Sequence, residues 1–242
     1  MKRFILIVAI FCLCLSISAC LGTRPTGHKP AGYGWYTVKP TDTLYSIAWR
    51  YGLDYKELAR WNSVAIDAII NPGQRLVLIK PNKYLTPKVI SMQVENKVAT
   101  KKKVTTASKT VAFEPGNKNP QSWQWPIKGK VLNTFSSKQL DRRGIDIAGK
   151  LGQSVRATAN GKVVYSGNGL AGYGNLIIVK HSDTFLSAYA YCKERLVSEG
   201  MSVKAGSIIA KVGLHKNKSA VLHFEVRKNG KPVDPLQYLA RQ

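Results

Sequence analysis

Acidic residues are scarce in this sequence: 13 Asp and Glu stand against 37 Lys and Arg in 242 residues, a formal charge of +24 with histidine neutral. Such a chain calls for anionic surroundings, whether phosphate, a carboxylate-bearing polymer or acidic lipid, which fixes the partner's sign but not its identity. Histidine is scarcer still, with four in the sequence, His28, His181, His215 and His223. His28 sits alone in a polar stretch, and one histidine cannot make a metal site. Cysteine numbers four: Cys12 and Cys14 fall in an apolar amino-terminal segment, Cys20 closes it, and Cys192 is left without a partner, so no intrachain disulfide is expected. No apolar run reaches the length of a membrane span, the longest being about residues 4–15. What remains is an ordinary globular composition, 44% apolar, with room for one medium domain or two small ones.

The opening "MKRFILIVAIFCLCLSISAC" carries Lys2 and Arg3, then the apolar run, then small residues before Cys20, and reads as a secretory signal over 1–19. That argues against nucleic acid as the anionic partner. The ending "ISAC" resembles the bacterial lipobox, which implies that Cys20 is acylated and anchors the chain to a membrane. An ordinary cleaved signal with a chance cysteine is the alternative. Leu21, where inner-membrane lipoproteins carry Asp, resembles outer-membrane sorting in a Gram-negative bacterium, with the chain facing the periplasm.

Composition then divides the chain. Residues 20–34, rich in Gly, Pro and Thr, form a tether. Over 35–80 the order is strand, helix, helix, strand. "TDTLYSIAWRYG" places Leu44, Ile47, Ala48 and Tyr51 at helical spacing between a polar cap region at Thr41 to Thr43 and a stop at Gly52. "LDYKELARWN" gives a second helix capped by Asp54, with Glu57 placed for a capping box and Leu58 and Trp61 inward. Residues 81–120 are a basic linker without an apolar stripe. From 121 to 242 the chain is all β, with apolar runs of strand length between Gly, Asn and Ser, and Asn229 and Gly230 marking a hairpin. The fold expected is therefore multidomain α+β, a small βααβ module followed by an all-β domain.

"YTVKPTDTLYSIAWRYGLDYKELARWN" with "INPGQRLVLI" resembles a LysM module over its whole length. The resemblance implies binding of N-acetylglucosamine-containing glycans, hence peptidoglycan, in a groove formed by Thr41, Asp42, Thr43 and Leu44 on one side and Ile69, Ile70, Asn71, Pro72 and Gly73 on the other. The glycine usual before Asp42 is here Thr41.

The last domain resembles the lysostaphin-type, or LytM, zinc metallopeptidases that cut peptidoglycan cross-links, through "GIDIAG", "GKVVYSGNGLAGYGNLIIVKH", "VKAGSIIAKVG" and "LHFEVRKNGKPVDPLQYL". In that family zinc is held by the His and Asp of H-x-G-x-D and by the second His of H-x-H. Carried over, these positions are Arg142, Asp146 and His223, and the two catalytic histidines become Tyr191 and Val221. Arginine stays protonated and has no lone pair to give a metal. Tyr191, with an ordinary pKa of about 10, is a poor base at neutral pH, and Val221 has no proton to move. No catalytic residue, metal or cofactor is expected, and Arg142 is expected to pair with Asp146 in the metal position.

A LytM-like domain without its ligands, joined to LysM on a lipoprotein, resembles the NlpD group of murein hydrolase activators. The resemblance implies a non-catalytic protein that binds peptidoglycan and engages an N-acetylmuramoyl-L-alanine amidase during septal wall splitting and daughter-cell separation. The groove implied for the partner comprises Arg142, Asp146, Tyr173, Tyr191, Val221 and His223. Two alternatives stay open: a zinc endopeptidase with relocated ligands, and a passive wall-anchoring lipoprotein.

Overall fold

The structure, a computed structural model, describes residues 34–81, 123–139, 142–215 and 219–241. The signal over 1–19, Cys20, the tether up to residue 33 and the linker from 82 lie outside these residues. No described helix is long and apolar enough to cross a membrane.

The amino-terminal module runs β1 (Trp35–Thr37), α1 (Leu44–Tyr51), α2 (Tyr55–Trp61) and β2 (Arg75–Val77), with β1 and β2 antiparallel. Thr43 starts α1 through a capping box closed by Ser46, and Gly52 ends it at φ 67°. Asp54 caps α2 by accepting from the Lys56 amide, while Glu57 pairs with Arg60 instead of closing a box. Asn62 then ties the end of α2 to β2: its amide donates to the carbonyls of Leu58 and Val77, and its oxygen accepts from the Val77 amide at 2.6 Å.

The β domain supplies β3 (Val131–Asn133), β4 (Ile145–Ala148), β5 (Ser154–Arg156), β6 (Gly161–Gly167), β7 (Asn175–Lys180), β8 (Phe185–Arg195), β9 (Ser202–Val203), β10 (Ile208–Val212), β11 (Val221–Lys228) and β12 (Lys231–Val233). The main sheet runs β3-β4-β11-β8-β7-β6-β9, with β12 on β11 and β10 bridging β5 and β8. Asn229 and Gly230 make the expected two-residue turn, both at positive φ, between the paired Lys228 and Lys231.

Strand alternation divides this sheet into two buried faces. Ile177, Val179, Tyr189, Leu222, Phe224 and Val226 join the core of the β domain itself. Leu176, Ile178, Leu186, Ala188 and Ala190 instead share one core with Leu44, Ile47, Trp49 and Leu58 of the module. All described residues belong to a single compact unit. The seam is also polar. Thr43 Oγ1 donates to the Val164 carbonyl at 3.2 Å, and Tyr55 Oη donates to that of Asp183 at 3.3 Å. A Cβ on Gly230 would stand 2.5 Å from the Leu53 carbonyl oxygen and the Asp54 nitrogen, so the β11–β12 turn approaches the module as closely as only glycine permits.

Candidate functional site

Antiparallel pairing of β11 with β4 sets His223 opposite Asp146. His223 Nδ1 lies 2.7 Å from Asp146 Oδ1, and its Nε2 lies 3.2 Å from Glu225 Oε1, so both ring nitrogens face carboxylates. Asn133 donates to the other Asp146 oxygen at 2.9 Å. Burial alone would push the His223 pKa down, but the hydrogen bonds to Asp146 and Glu225 and their negative charges outweigh it and hold it up at about 9. Burial likewise opposes the charge on Glu225, yet the Arg227 guanidinium and the His223 hydrogen bond hold it down at about 2. Asp146 is below its ordinary value for a similar reason, burial being outweighed by the bonds from His223 and Asn133. At neutral pH the ring is thus an imidazolium donating from both nitrogens.

The chain of charges continues inward. Tyr173 Oη donates to Glu225 Oε1 at 2.8 Å, and Arg227 Nη2 and Nε reach Glu225 Oε2 at 3.2 and 3.3 Å. Arg227, only 1% exposed, donates from Nη1 to the Trp49 carbonyl at 2.8 Å and lays its guanidinium 3.6 Å from the centre of the Trp49 ring. The order Asp146, His223, Glu225, Arg227, Trp49 therefore runs from the expected metal position to the module. Two negative and two positive charges alternate along it.

The expected groove residues assemble in part. Asp146, Tyr173, Tyr191 and His223 are neighbours, with the Tyr191 and Tyr173 rings centred 5.6 and 6.1 Å from that of His223. Tyr191 sits at φ 60°, stacks on His215 at 4.1 Å and has its pKa pushed up to about 12, chiefly by burial. Val221 is buried two residues before His223 on the same strand face, opposite Ala148. Arg142 departs from expectation. Its Nε and Nη2 donate to the carbonyl and hydroxyl of Thr134 at 2.9 and 2.8 Å and its Nη1 to Gln139 at 3.1 Å, while Asp146 is paired with His223 and Asn133 instead. The local hairpin offers Arg142 neutral acceptors close by, and the imidazolium has already satisfied Asp146. His181 lies outside the site: it is buried between the Asn160 carbonyl and Ser187 and packs on Trp123. Among the described residues no group of three or more His, Cys, Asp or Glu is placed to hold a metal ion.

The expected glycan loops open on a cavity of about 490 Å³. Of the residues named for the glycan groove, Asp42, Thr43, Leu44, Ile69 and Ile70 line it, and Thr41, Asn71, Pro72 and Gly73 do not. Asp42 is held by Tyr36 Oη at 2.5 Å, the Lys39 amide at 2.9 Å and Arg50 at 3.1 Å, so it braces the loop and caps no helix. Tyr45 and residues 66–68 join the lining, and Lys162, Val163, Val164, Lys180, Glu199 and Gly200 of the β domain close it from the other side. Sequence reasoning missed that second wall, since nothing local to the LysM-like segment names its cover.

A βααβ module seated on a β domain whose His223 and Asp146 face each other across β11 and β4 defines a class: a LysM-type module carried by a metallopeptidase-type domain. The family models agree, the LysM domain matching residues 36–78 and Peptidase family M23 matching 141–235. The murein hydrolase activator NlpD of Escherichia coli (strain K12) is 38% identical over 272 residues, covering 90% of this chain and 72% of that protein. The lipoprotein NlpD/LppB homolog of Pseudomonas aeruginosa is 38% identical, with 95% and 90% covered, and the protein named "Uncharacterized lipoprotein YgeR" of E. coli is 35% identical, with 100% and 95% covered. The chain belongs to the NlpD family.

Proposed function

We propose that this chain is a non-catalytic, lipid-anchored activator of the outer membrane that faces the periplasm, binds peptidoglycan and stimulates an N-acetylmuramoyl-L-alanine amidase in septal wall splitting. In this reading Cys20 carries the lipid, 20–34 is the tether, 35–80 the wall-binding module, 81–120 a basic linker and 121–242 the partner-binding domain. Relatives named as murein hydrolase activators and as lipoproteins of Gram-negative bacteria support it.

One observation carries the non-catalytic reading. The residue at the first ligand position is Arg142, whose guanidinium has no lone pair for zinc and is turned onto Thr134 and Gln139, leaving Asp146 and His223 as the remaining pair. The donor set does not fit a catalytic zinc in other respects as well. Tyr191 holds its proton to about 12, and Val221 has none to transfer. A cleft with walls intact and chemistry gone can hold a peptide segment of a partner without cutting it. Such binding activates an amidase only if it favours the open form over the closed one. Asp146, Tyr173 and Tyr191, each partly exposed, supply that surface over the buried Val221 and His223, with Arg142 at its edge.

The test uses dye-labelled sacculi incubated with this protein, with an amidase, and with both. Dye release only in the mixture is the expected result. Chelator-sensitive release by this protein alone would falsify the reading, and wall binding with no stimulation would reduce it to an anchor.

A further inference from the structure

We propose that the cavity between the module and the β domain is a two-walled site for an amino-sugar glycan that still carries its short peptide, with the glycan on the module's loops and a peptide carboxylate on Lys162. The inference rests on the reading that the module binds peptidoglycan, and adds which form of it the site prefers.

The volume of about 490 Å³ is in the range of built ligand sites, roughly 300–1,000 Å³. Tyr45, Ile66 and Ile70 give the module's wall an apolar lining suited to sugar faces and acetamido methyl groups. The opposite wall is charged. Lys162 and Lys180 stand directly across from each other in the β6–β7 register, an arrangement that costs energy unless the charges are neutralised. Lys180 has its counter-ion, Asp183 at 2.7 Å, and lies 5.4 Å from the Tyr55 ring centre. Lys162 has no side-chain partner among the described residues, and it is exposed toward the cavity it lines. It is the cation left to receive an incoming carboxylate. Glu199, on the same wall, offers the opposite charge to a peptide amine.

Neither domain builds this site alone, because the glycan loops belong to one and the ammonium to the other. A ligand that spans both walls must carry sugar and peptide together. An amidase of the class proposed above separates those two parts: the cut glycan keeps a carboxylate only on its lactyl group, beside the sugar, and loses the peptide that reaches the far wall.

Two ligands of equal glycan length test this by calorimetric titration of the full chain: an N-acetylglucosamine–N-acetylmuramic acid oligomer with its peptides, and the same oligomer stripped of them with its lactyl carboxyls capped as primary amides, so that only the peptides bring carboxylates. The peptide-bearing ligand should bind about tenfold more tightly, as one charge-assisted contact allows. Lys162→Ala should erase that preference and leave the stripped ligand's affinity unchanged, and Lys162→Arg should keep it. Equal affinities in the unaltered protein, or an equal loss for both ligands in Lys162→Ala, would overturn the two-walled site while leaving the module's wall binding intact. Binding of neither ligand would remove the wall-binding reading itself, and this inference with it.

Discussion

Replacing Arg227 by methionine should detach the LysM module from the β domain without unfolding either. The side chain is 1% exposed, and its two module contacts are the 2.8 Å bond to the Trp49 carbonyl and the ring stacked at 3.6 Å. A charged donor on a carbonyl contributes about 1.5–3 kcal/mol, and a desolvated cation on an aromatic face about 2 kcal/mol. Both come from one guanidinium and do not simply add, so a loss of about 3 kcal/mol is expected, a shift of roughly 150-fold in docking. Methionine also leaves Glu225 with only His223 and Tyr173, and breaking a buried pair in this way typically costs about 3–5 kcal/mol. The double change Arg227→Met with Glu225→Gln removes that uncompensated charge but not the loss at Trp49. Scanning calorimetry separates the two effects. The unaltered protein, with one core shared across the seam, should melt in one transition. Arg227→Met should show two, and the double variant should regain stability in the β domain while still showing two. A single transition in both variants would refute the idea that Arg227 is the latch.

Three further outcomes follow from the geometry. Thr41 occupies φ 71°, where a β-branched residue is strained, so Thr41→Gly should raise stability by about 1 kcal/mol in urea titration, the glycine's greater unfolded freedom offsetting part of the gain. Stability against pH should peak between two histidine limbs. His181, held down to about 4 by burial, must take up a proton on unfolding and costs stability as pH falls from about 6.5 toward 4. His223, held up at about 9, stabilises fully below about 6.5 and loses that contribution as pH rises through 9, so His223→Gln should flatten the alkaline limb in thermal melts. Arg142→His should release no dye from sacculi with added zinc, because Tyr191 and Val221 still stand where the proton-transferring histidines are needed; hydrolysis by this variant would show the site to be misread.

Much of this was legible in the sequence because it is local. The helix stops at Gly52, the caps at Thr43 and Asp54 and the hairpin at Asn229 and Gly230 follow from backbone preferences within a few residues. Asp42 misled because a carboxylate near a helix start reads as a cap, whereas Tyr36 and Arg50 claim it from elsewhere in the module. The seam between domains left only indirect signs. Trp49 lies off the stripe of Leu44, Ile47, Ala48 and Tyr51 yet is 1% exposed, which a helix covered on one face does not explain. The unbroken apolar run Leu176 to Val179 says that the sheet is covered on both faces, but not by what. Arg227 and Glu225 look like solvent-facing alternation until the module covers them.

The same strand joins the domain docking to the candidate site. Period two along β11 sends Leu222, Phe224 and Val226 into the domain core and His223, Glu225 and Arg227 to the other face. On that face Glu225 is fully buried and needs compensation from both ends, which Arg227 gives on the module's side and the imidazolium gives on the other. A metal taking His223 as a ligand would have to displace the ring's second proton and meet the carboxylate of Asp146 in its place. Glu225 would then still accept from His223 Nε2 as well as from Arg227 and Tyr173, so a metal at Nδ1 leaves the chain of contacts that ends on Trp49 in place. The Nε2 proton of His223, and not the one toward Asp146, is therefore what joins the candidate site to the seam, while the proposed lack of metal chemistry rests on Arg142, Tyr191 and Val221.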